Sequence, residues 1–188
     1  SCVRELNQTL QQSQTGDVRA YFNQYFLRSE KLYQSYFQIP RYAARRDLSW
    51  SATNPDLALI PFIDPISESY RQFLLNIEDE WKWDSWKLKL NFVRSGSHTR
   101  LEFQPGATPH VPGLGASKIV MDANTPLTEW EVSWTIRHEF GHVLGFPDCY
   151  VEFYDSDAET MVNYQLDTTD LMCSRAGNLK LNHYQEMK

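Results

Sequence analysis

The feature that most constrains this chain is a histidine pair in residues 137–148, which read RHEFGHVLGFPD. His138 and His142 are four residues apart, so on a helix they project from one face with about 6 Å of rise between them. That spacing suits two ligands of one tetrahedral metal ion. Glu139 is rotated about 100° from His138, where it can reach a water beside the metal without ligating it. The segment therefore predicts a metal site with a general base.

The residues after the second histidine predict how a third ligand arrives. Gly145 ends the helix, because glycine adopts a left-handed backbone at little cost, and Pro147 prevents the helix from resuming. The chain can then turn and bring Asp148 beneath the two histidines. Three protein ligands and one open position are typical of catalytic zinc. The alternative third ligand is a later glutamate, for which Glu152 and Glu159 are available.

The string HEFGHVLGFPD, read together with Asp170-Leu171-Met172, resembles the metzincin motif and its Met-turn. It is most similar to the snapalysin branch, in which the third ligand is aspartate. The resemblance implies that His138, His142 and Asp148 bind Zn²⁺, that Glu139 is the catalytic base and that Met172 lies under the metal. It also implies a zinc metallopeptidase with an α/β zincin fold, in which Gly145 forms the ligand turn.

Two features bear on that resemblance. Ser174 stands two residues after Met172, so the tyrosine that assists transition-state binding in some metzincins is not expected there. Cys149 follows Asp148, and Cys173 follows Met172. A disulfide between them would tie the ligand turn to the Met-turn, and two buried free thiols are the alternative.

The pattern along the chain predicts a mixed α+β class, with helices packed on a twisted mixed sheet. Residues 1–50 are expected to be a helical extension packed on a catalytic domain of residues 51–188, with a break at Thr15-Gly16-Asp17. Thr128 and Glu131 form a capping-box pattern that places the start of the active-site helix just after Pro126. A C-terminal helix follows from the resemblance. The expected elements are strands at 57–63, 86–93, 101–103 and 118–121, and helices at 67–83 and up to 144.

Charge and composition limit the partners. The net charge is −6, which argues against nucleic acid or an anionic membrane surface, and no apolar run is long enough to span a bilayer. Three cysteines suggest one disulfide and one remaining thiol in an exported protein. Cys2 is open to three interpretations: a lipid-modified terminus, a latency thiol directed at the metal, or a free cysteine. A secreted or periplasmic monomer is expected.

The predicted function is a zinc-dependent endopeptidase whose extended substrate lies along the strand at 117–122 as an added antiparallel strand. One alternative is a zinc amide hydrolase acting on a cell-wall or other non-protein substrate. The other is a binding module with a catalytically silent zinc site, against which an intact Glu139 argues. His98, His110 and His183 lack ligand spacing and are expected on the surface or in packing. Asp155, Asp157 and Glu159 match no calcium loop.

Overall fold

The computed structural model describes Arg4, Asn7, Gln8, Gln11 and residues 15–188. The chain forms two compact units, residues 1–36 and residues 37–188. In the first unit, helix α1 spans Thr15–Ser35. The predicted break at Thr15-Gly16-Asp17 is thus where this helix begins. The four described residues before it are also helical. Cys2 lies outside the described residues.

The second unit carries eight strands and three helices, which confirms the predicted mixed α+β class. The helices are α2 (Glu68–Glu80), α3 (Trp130–Leu144) and α4 (Leu181–Met187). The strands are β1 (Ser49–Trp50), β2 (Leu57–Ile63), β3 (Lys82–Trp83), β4 (Trp86–Val93), β5 (Arg100–Gln104), β6 (Lys118–Asp122), β7 (Tyr150–Asp155) and β8 (Thr160–Gln165).

The strands form one mixed sheet region and a separate hairpin. β2 pairs in parallel with β4, and β5 pairs in parallel with β6. The amide of Ile63 donates to the carbonyl of Thr99 at 2.7 Å, which joins β2 to the start of β5. The four long strands therefore follow the order β4, β2, β5, β6. Among the described strands, β7 and β8 pair only with each other, as an antiparallel hairpin.

The strands were predictable because their side chains alternate. Every second residue of β4 is buried from Trp86 to Leu90, and β2 buries Ala58, Ile60 and Phe62. Period-two burial is what a half-buried strand requires, since successive side chains point to opposite faces. Both strands have the predicted bounds.

The core beneath α3 is aromatic. Trp81 is fully buried, and its indole nitrogen donates to the carbonyl of Arg137 at 3.1 Å. Its ring packs against Phe140 of α3 and Phe146 of the following turn, with centroids 5.8 and 5.9 Å away. Aromatic pairs at these distances add to the free energy of burial. α3 is thereby fixed against the end of α2.

Residues 37–50 lie in the second unit, although the sequence analysis ended the N-terminal extension at residue 50. Ala43 is buried, and its carbonyl oxygen lies so close to Gly145 that a Cβ there would approach it to 2.7 Å. Arg45 is also buried, paired with Asp47 and donating to Ser117 at 3.0 Å. This segment therefore supports the turn that ends α3.

The predicted start of α3 is wrong in detail. α3 begins at Trp130 with Glu129 at its N-cap and no side-chain cap, so Thr128 and Glu131 do not form a capping box. β6 has a second backbone partner besides β5, and the addition of a substrate strand along 117–122 stays a prediction. His110 pairs with Val120 on the side opposite β5, with backbone hydrogen bonds of 3.1 and 2.9 Å. The segment around His110 therefore lies outside β6. No sequence pattern predicted this pairing, because it joins residues that are ten positions apart.

None of the helices in the described part of the chain has the length and apolar content that crossing a bilayer requires.

Candidate metal centre

Helix α3 presents both histidines to one cleft because they share a helical face. The rings of His138 and His142 lie 4.8 Å apart, nearly perpendicular to each other. The same four-residue spacing continues back along the helix to Trp134 and Trp130, which line the same cleft. One stripe of α3 thus carries two aromatic residues followed by two imidazoles.

Backbone carbonyls orient both imidazoles. Nδ1 of His138 lies 2.8 Å from the carbonyl oxygen of Leu171, and Nδ1 of His142 lies 2.8 Å from that of Phe146. A carbonyl only accepts, so each Nδ1 carries the proton and donates. Each Nε2 then presents a lone pair to the cleft, as a metal-ligating histidine does.

Gly145 and the chain reversal after it deliver Asp148 to those nitrogens. Gly145 has φ of 105°, a left-handed conformation, and the amide of Phe146 bonds back to the carbonyl of Gly141. Oδ1 of Asp148 then lies 3.1 Å from Nε2 of His138 and 3.4 Å from Nε2 of His142. This oxygen is buried and accepts no hydrogen bond.

Three acceptor atoms therefore converge with no proton donor among them, and a cation relieves that repulsion. Zinc bonds to nitrogen and oxygen of about 2.0–2.1 Å give tetrahedral edges of about 3.3 Å, close to both distances from Asp148. Within the described residues these three side chains form a group that can hold a metal ion. The donor set of two imidazoles and one carboxylate fits zinc.

The charges of Asp148 and His142 stabilise each other. Burial by itself raises the pKa of Asp148, but the two imidazoles outweigh it and hold the pKa well below its usual range. Burial lowers the pKa of His142, but Asp148 outweighs it and the net pKa is raised. The electrostatics thus favour a carboxylate facing positive charge.

The Met-turn lies directly beneath this group. A Cβ on Gly141 would collide with Sδ of Met172, so the helix and the methionine approach as closely as glycine allows. Cys149 and Cys173 form the predicted disulfide. The amide of Cys149 also donates to the carbonyl of Met172 at 3.1 Å. The ligand turn and the Met-turn are consequently joined by covalent and hydrogen bonds.

The cleft above the three side chains has a volume of about 690 Å³. Glu139, itself buried with 4% of its surface exposed, lines it beside the histidines. Four stretches of chain form the walls: one face of α3, the loop around His110, the β7–β8 hairpin and the loop after Met172. Their lining residues include Thr108, Val111, Glu131, Thr135, Tyr150, Glu152, Asn163, Gln165, Ser174 and Arg175.

Sequence reasoning missed Tyr150 and Arg175. Burial, followed by the nearby Asp148 carboxylate, raises the pKa of Tyr150 to about 12, so its hydroxyl keeps its proton. Arg175 follows the Met-turn and is the only Lys or Arg among the described residues lining the cleft. Tyr150 could have been predicted to lie near the site, since it stands two residues after the predicted ligand Asp148. Arg175 had no local pattern.

The other sequence candidates lie apart from the three-residue group. Glu152 accepts a hydrogen bond from Asn163 at 2.6 Å, and Glu159 lies at the exposed tip of the hairpin. His98 is half-buried beside Asp47, His110 belongs to the outer segment, and His183 is buried in packing. The assignments of ligands and base remain predictions that this geometry favours.

No protein-family model and no curated protein matches this sequence. Among solved structures, the chain is similar to myroilysin, with 20% sequence identity and a TM-score of 0.38. The match covers 58% of this chain and 53% of that one, so it spans about half the length of myroilysin. A likeness this distant carries no argument about the site, whose interpretation rests on its own residues.

Proposed function

We propose that this chain is a zinc-dependent endopeptidase. The observation that carries the proposal is the convergence of Nε2 of His138, Nε2 of His142 and Oδ1 of Asp148, three acceptors that face one another in a cleft. Three such ligands leave a fourth position for water or substrate, which is the arrangement of catalytic zinc.

Zinc bound there supplies Lewis-acid chemistry, polarising a carbonyl and making a water molecule more acidic. Glu139 accepts the proton of the attacking water and returns it to the leaving amine. Tyr150 offers a protonated hydroxyl at the same cleft, where it can donate to oxygen as negative charge develops.

The substrate is proposed to be an extended polypeptide, with the loop around His110 as one rim of the cleft. β6 itself has its second edge engaged at Val120, so a peptide reaches the segment outside it first. A cleft of about 690 Å³ lined by one face of α3 suits a polypeptide segment. The disulfide supports an oxidising location, and we propose that the protein is secreted or periplasmic.

The test is an isosteric change of the base. Glu139→Gln protein should retain one zinc per chain, because its ligands are intact, and lose cleavage of an internally quenched hexapeptide by about 100-fold or more. Glu68→Gln, on the exposed start of α2, is the matched control and should leave both measurements unchanged. Full turnover by the Glu139→Gln protein would refute the mechanism.

Metal dependence gives the second arm of the test. A chelator should abolish hexapeptide cleavage by the unmodified protein, and added zinc should restore it. One zinc per chain without cleavage of any peptide would instead favour a silent site or an amide substrate that is not a peptide.

A further inference from the structure

The β7–β8 hairpin has one face that begins inside the cleft and continues beyond it. Side chains alternate between the two faces of a strand, and opposed residues of an antiparallel pair share a face. Two successive pairs line the cleft wall, and the third lies further along the hairpin. In order from the cleft, the pairs are Tyr150 with Gln165, Glu152 with Asn163, and Tyr154 with Met161.

The third pair is apolar and uncovered. Tyr154 is 60% exposed and Met161 is 66% exposed. Exposed large apolar side chains that adjoin a cleft mark a surface used for binding. Tyr154 stands four residues from Tyr150, about 13 Å along a strand, which is the reach of about four residues of an extended peptide.

The charge of the hairpin indicates what chemistry it accepts. Residues 150–165 contain four acidic residues and no lysine or arginine. Glu152 places one of these charges on the cleft wall, and Glu131 of α3 adds another. An acidic surface with an apolar patch attracts cationic chains and disfavours acidic ones. The acidic residues are Glu152, Asp155, Asp157 and Glu159.

We propose that Tyr154 and Met161 form an exosite, here named the hairpin site, for the flanking part of cationic, apolar polypeptide substrates. The proposal rests on the proposed function, since it extends the same cleft and sets which polypeptides are preferred. A substrate reaches the hairpin site only if it continues about two residues, or about 7 Å, past Glu152 at the end of the cleft wall. Short peptides do not touch it.

The opposite face of the hairpin supplies a matched control. Phe153 is 49% exposed and Tyr164 is 62% exposed, but neither lines the cleft. Replacing these two residues, which share the opposite face, removes about as much exposed apolar surface from the same two strands. A change in hairpin stability or in non-specific binding should therefore affect substrate cleavage by both double variants. The hairpin site predicts an effect of the Tyr154/Met161 double variant alone.

The experiment uses the full zinc-loaded chain and three quenched substrates that share one cleaved hexapeptide sequence. One is the hexapeptide itself, one is extended by alternating Lys and Leu, and one is extended by alternating Glu and Leu. The unmodified protein should cleave the Lys-Leu substrate with a kcat/KM about tenfold above that for the Glu-Leu substrate, and added salt should narrow the difference.

Tyr154→Ser combined with Met161→Ser should lower kcat/KM for the Lys-Leu substrate by about 5- to 10-fold, mainly through KM. Phe153→Ser combined with Tyr164→Ser should leave that value unchanged. Equal losses in both double variants, or no preference of the unmodified protein for Lys-Leu over Glu-Leu, would overturn the hairpin site while hexapeptide cleavage still supports the endopeptidase.

Direct binding keeps the two proposals separable. Anisotropy of a fluorescent Lys-Leu peptide added to Glu139→Gln protein reports affinity without any turnover. In that background, weaker binding to the Tyr154/Met161 double variant, but not to the Phe153/Tyr164 double variant, supports the hairpin site. This result stands even if the unmodified protein cleaves no peptide, an outcome that refutes only the proposed function. Undiminished binding to the Tyr154/Met161 double variant refutes the hairpin site.

Discussion

Nε2 of His183 lies 3.3 Å from Oδ1 of Asp170, with both side chains buried beneath the Met-turn. Nδ1 of His183 accepts from the amide of Lys180 at 3.0 Å, so Nε2 carries the proton and faces the carboxylate. The same Oδ1 accepts the amide of Met172 at 2.8 Å. Helix α4 is thereby connected to the turn whose Leu171 carbonyl orients His138.

Removing the donor should therefore weaken both the fold and metal binding. His183→Ala leaves the buried Asp170 carboxylate without this neighbouring N–H, which costs about 1–3 kcal/mol of unfolding free energy. Loss of its support for the Met-turn should weaken zinc affinity by about tenfold. Urea unfolding and competition with a chromogenic chelator measure the two effects.

A conservative replacement separates positioning from packing. His183→Gln keeps an N–H donor near the position of Nε2, so it should recover most of the zinc affinity even where stability is only partly restored. If the His183→Ala protein binds zinc as tightly as the unmodified protein, the contacts from α4 to the turn that orients His138 do not affect metal binding.

The close contact between Gly141 and Met172 predicts that adding one methyl group at residue 141 lowers both stability and zinc binding. Gly141→Ala places a Cβ against Sδ of Met172 and near Trp81, in a region with no free space. Overpacking of this kind costs about 1–3 kcal/mol, more than the gain in helix propensity. Zinc content should fall with it, since the helix and the Met-turn are forced apart.

Gly113→Ala is the control for that change, because nothing lies within 4 Å of a Cβ added there. Thermal unfolding and metal analysis of the two variants make the comparison. If the Gly141→Ala protein keeps its stability and zinc content, the Met-turn can move away from the added methyl group at little cost in free energy.

Much of the fold could be predicted because its elements alternate or end at marked residues. β2 and β4 bury every second side chain, and α3 ends where Gly145 supplies a positive φ. The convergence of His138, His142 and Asp148 could be predicted from the same local information, since these residues lie within one helix and one turn; their role as ligands stays a prediction. The disulfide followed from adjacency in sequence to the two motifs.

The elements that were missed depend on contacts distant in sequence or on exposed surfaces. The β7–β8 hairpin exposes apolar residues on both faces, so Tyr154 and Phe153 give no alternation to detect. His110 joins the sheet through Val120, ten residues away, without a strand pattern of its own. Arg175 enters the cleft only because the Met-turn is folded under α3.

Tyr150 is expected to assist the reaction. Tyr150→Phe removes a hydroxyl donor from the cleft while keeping the ring, so kcat for hexapeptide cleavage should fall by about 100-fold with zinc content unchanged. Tyr164→Phe, on the exposed outer face of the hairpin, is the control and should have no effect. Loss of zinc from the Tyr150→Phe protein would assign the hydroxyl to supporting Asp148 instead.

Asp167 is expected to account for a measurable part of the loss of folding stability at acidic pH. Lys180 and Thr169 hold the pKa of Asp167 at about 2, below the ordinary 3.8. A folded-state pKa below the unfolded value stabilises the protein above about pH 4, and this contribution is lost as pH falls toward 2.

Asp167→Asn should therefore lower the unfolding temperature at pH 7 and flatten its decline between about pH 4 and 2. Asp79→Asn, an exposed position on α2, makes the same charge change without these partners and serves as the control. Parallel pH profiles for the Asp167→Asn and unmodified proteins would contradict the assignment.

The disulfide is expected to stabilise both the fold and the site. Cys149 and Cys173 are 24 residues apart, and closing a loop of that length stabilises a protein by about 3 kcal/mol in the chain-entropy model. Replacing both with alanine should lower the unfolding free energy by that order. Because the bond joins the residue after Asp148 to the residue after Met172, zinc should also dissociate faster. Cys2→Ser, which changes the third cysteine alone, is the control. An unmodified protein whose stability and zinc retention are the same with and without reductant would show that the bond contributes to neither.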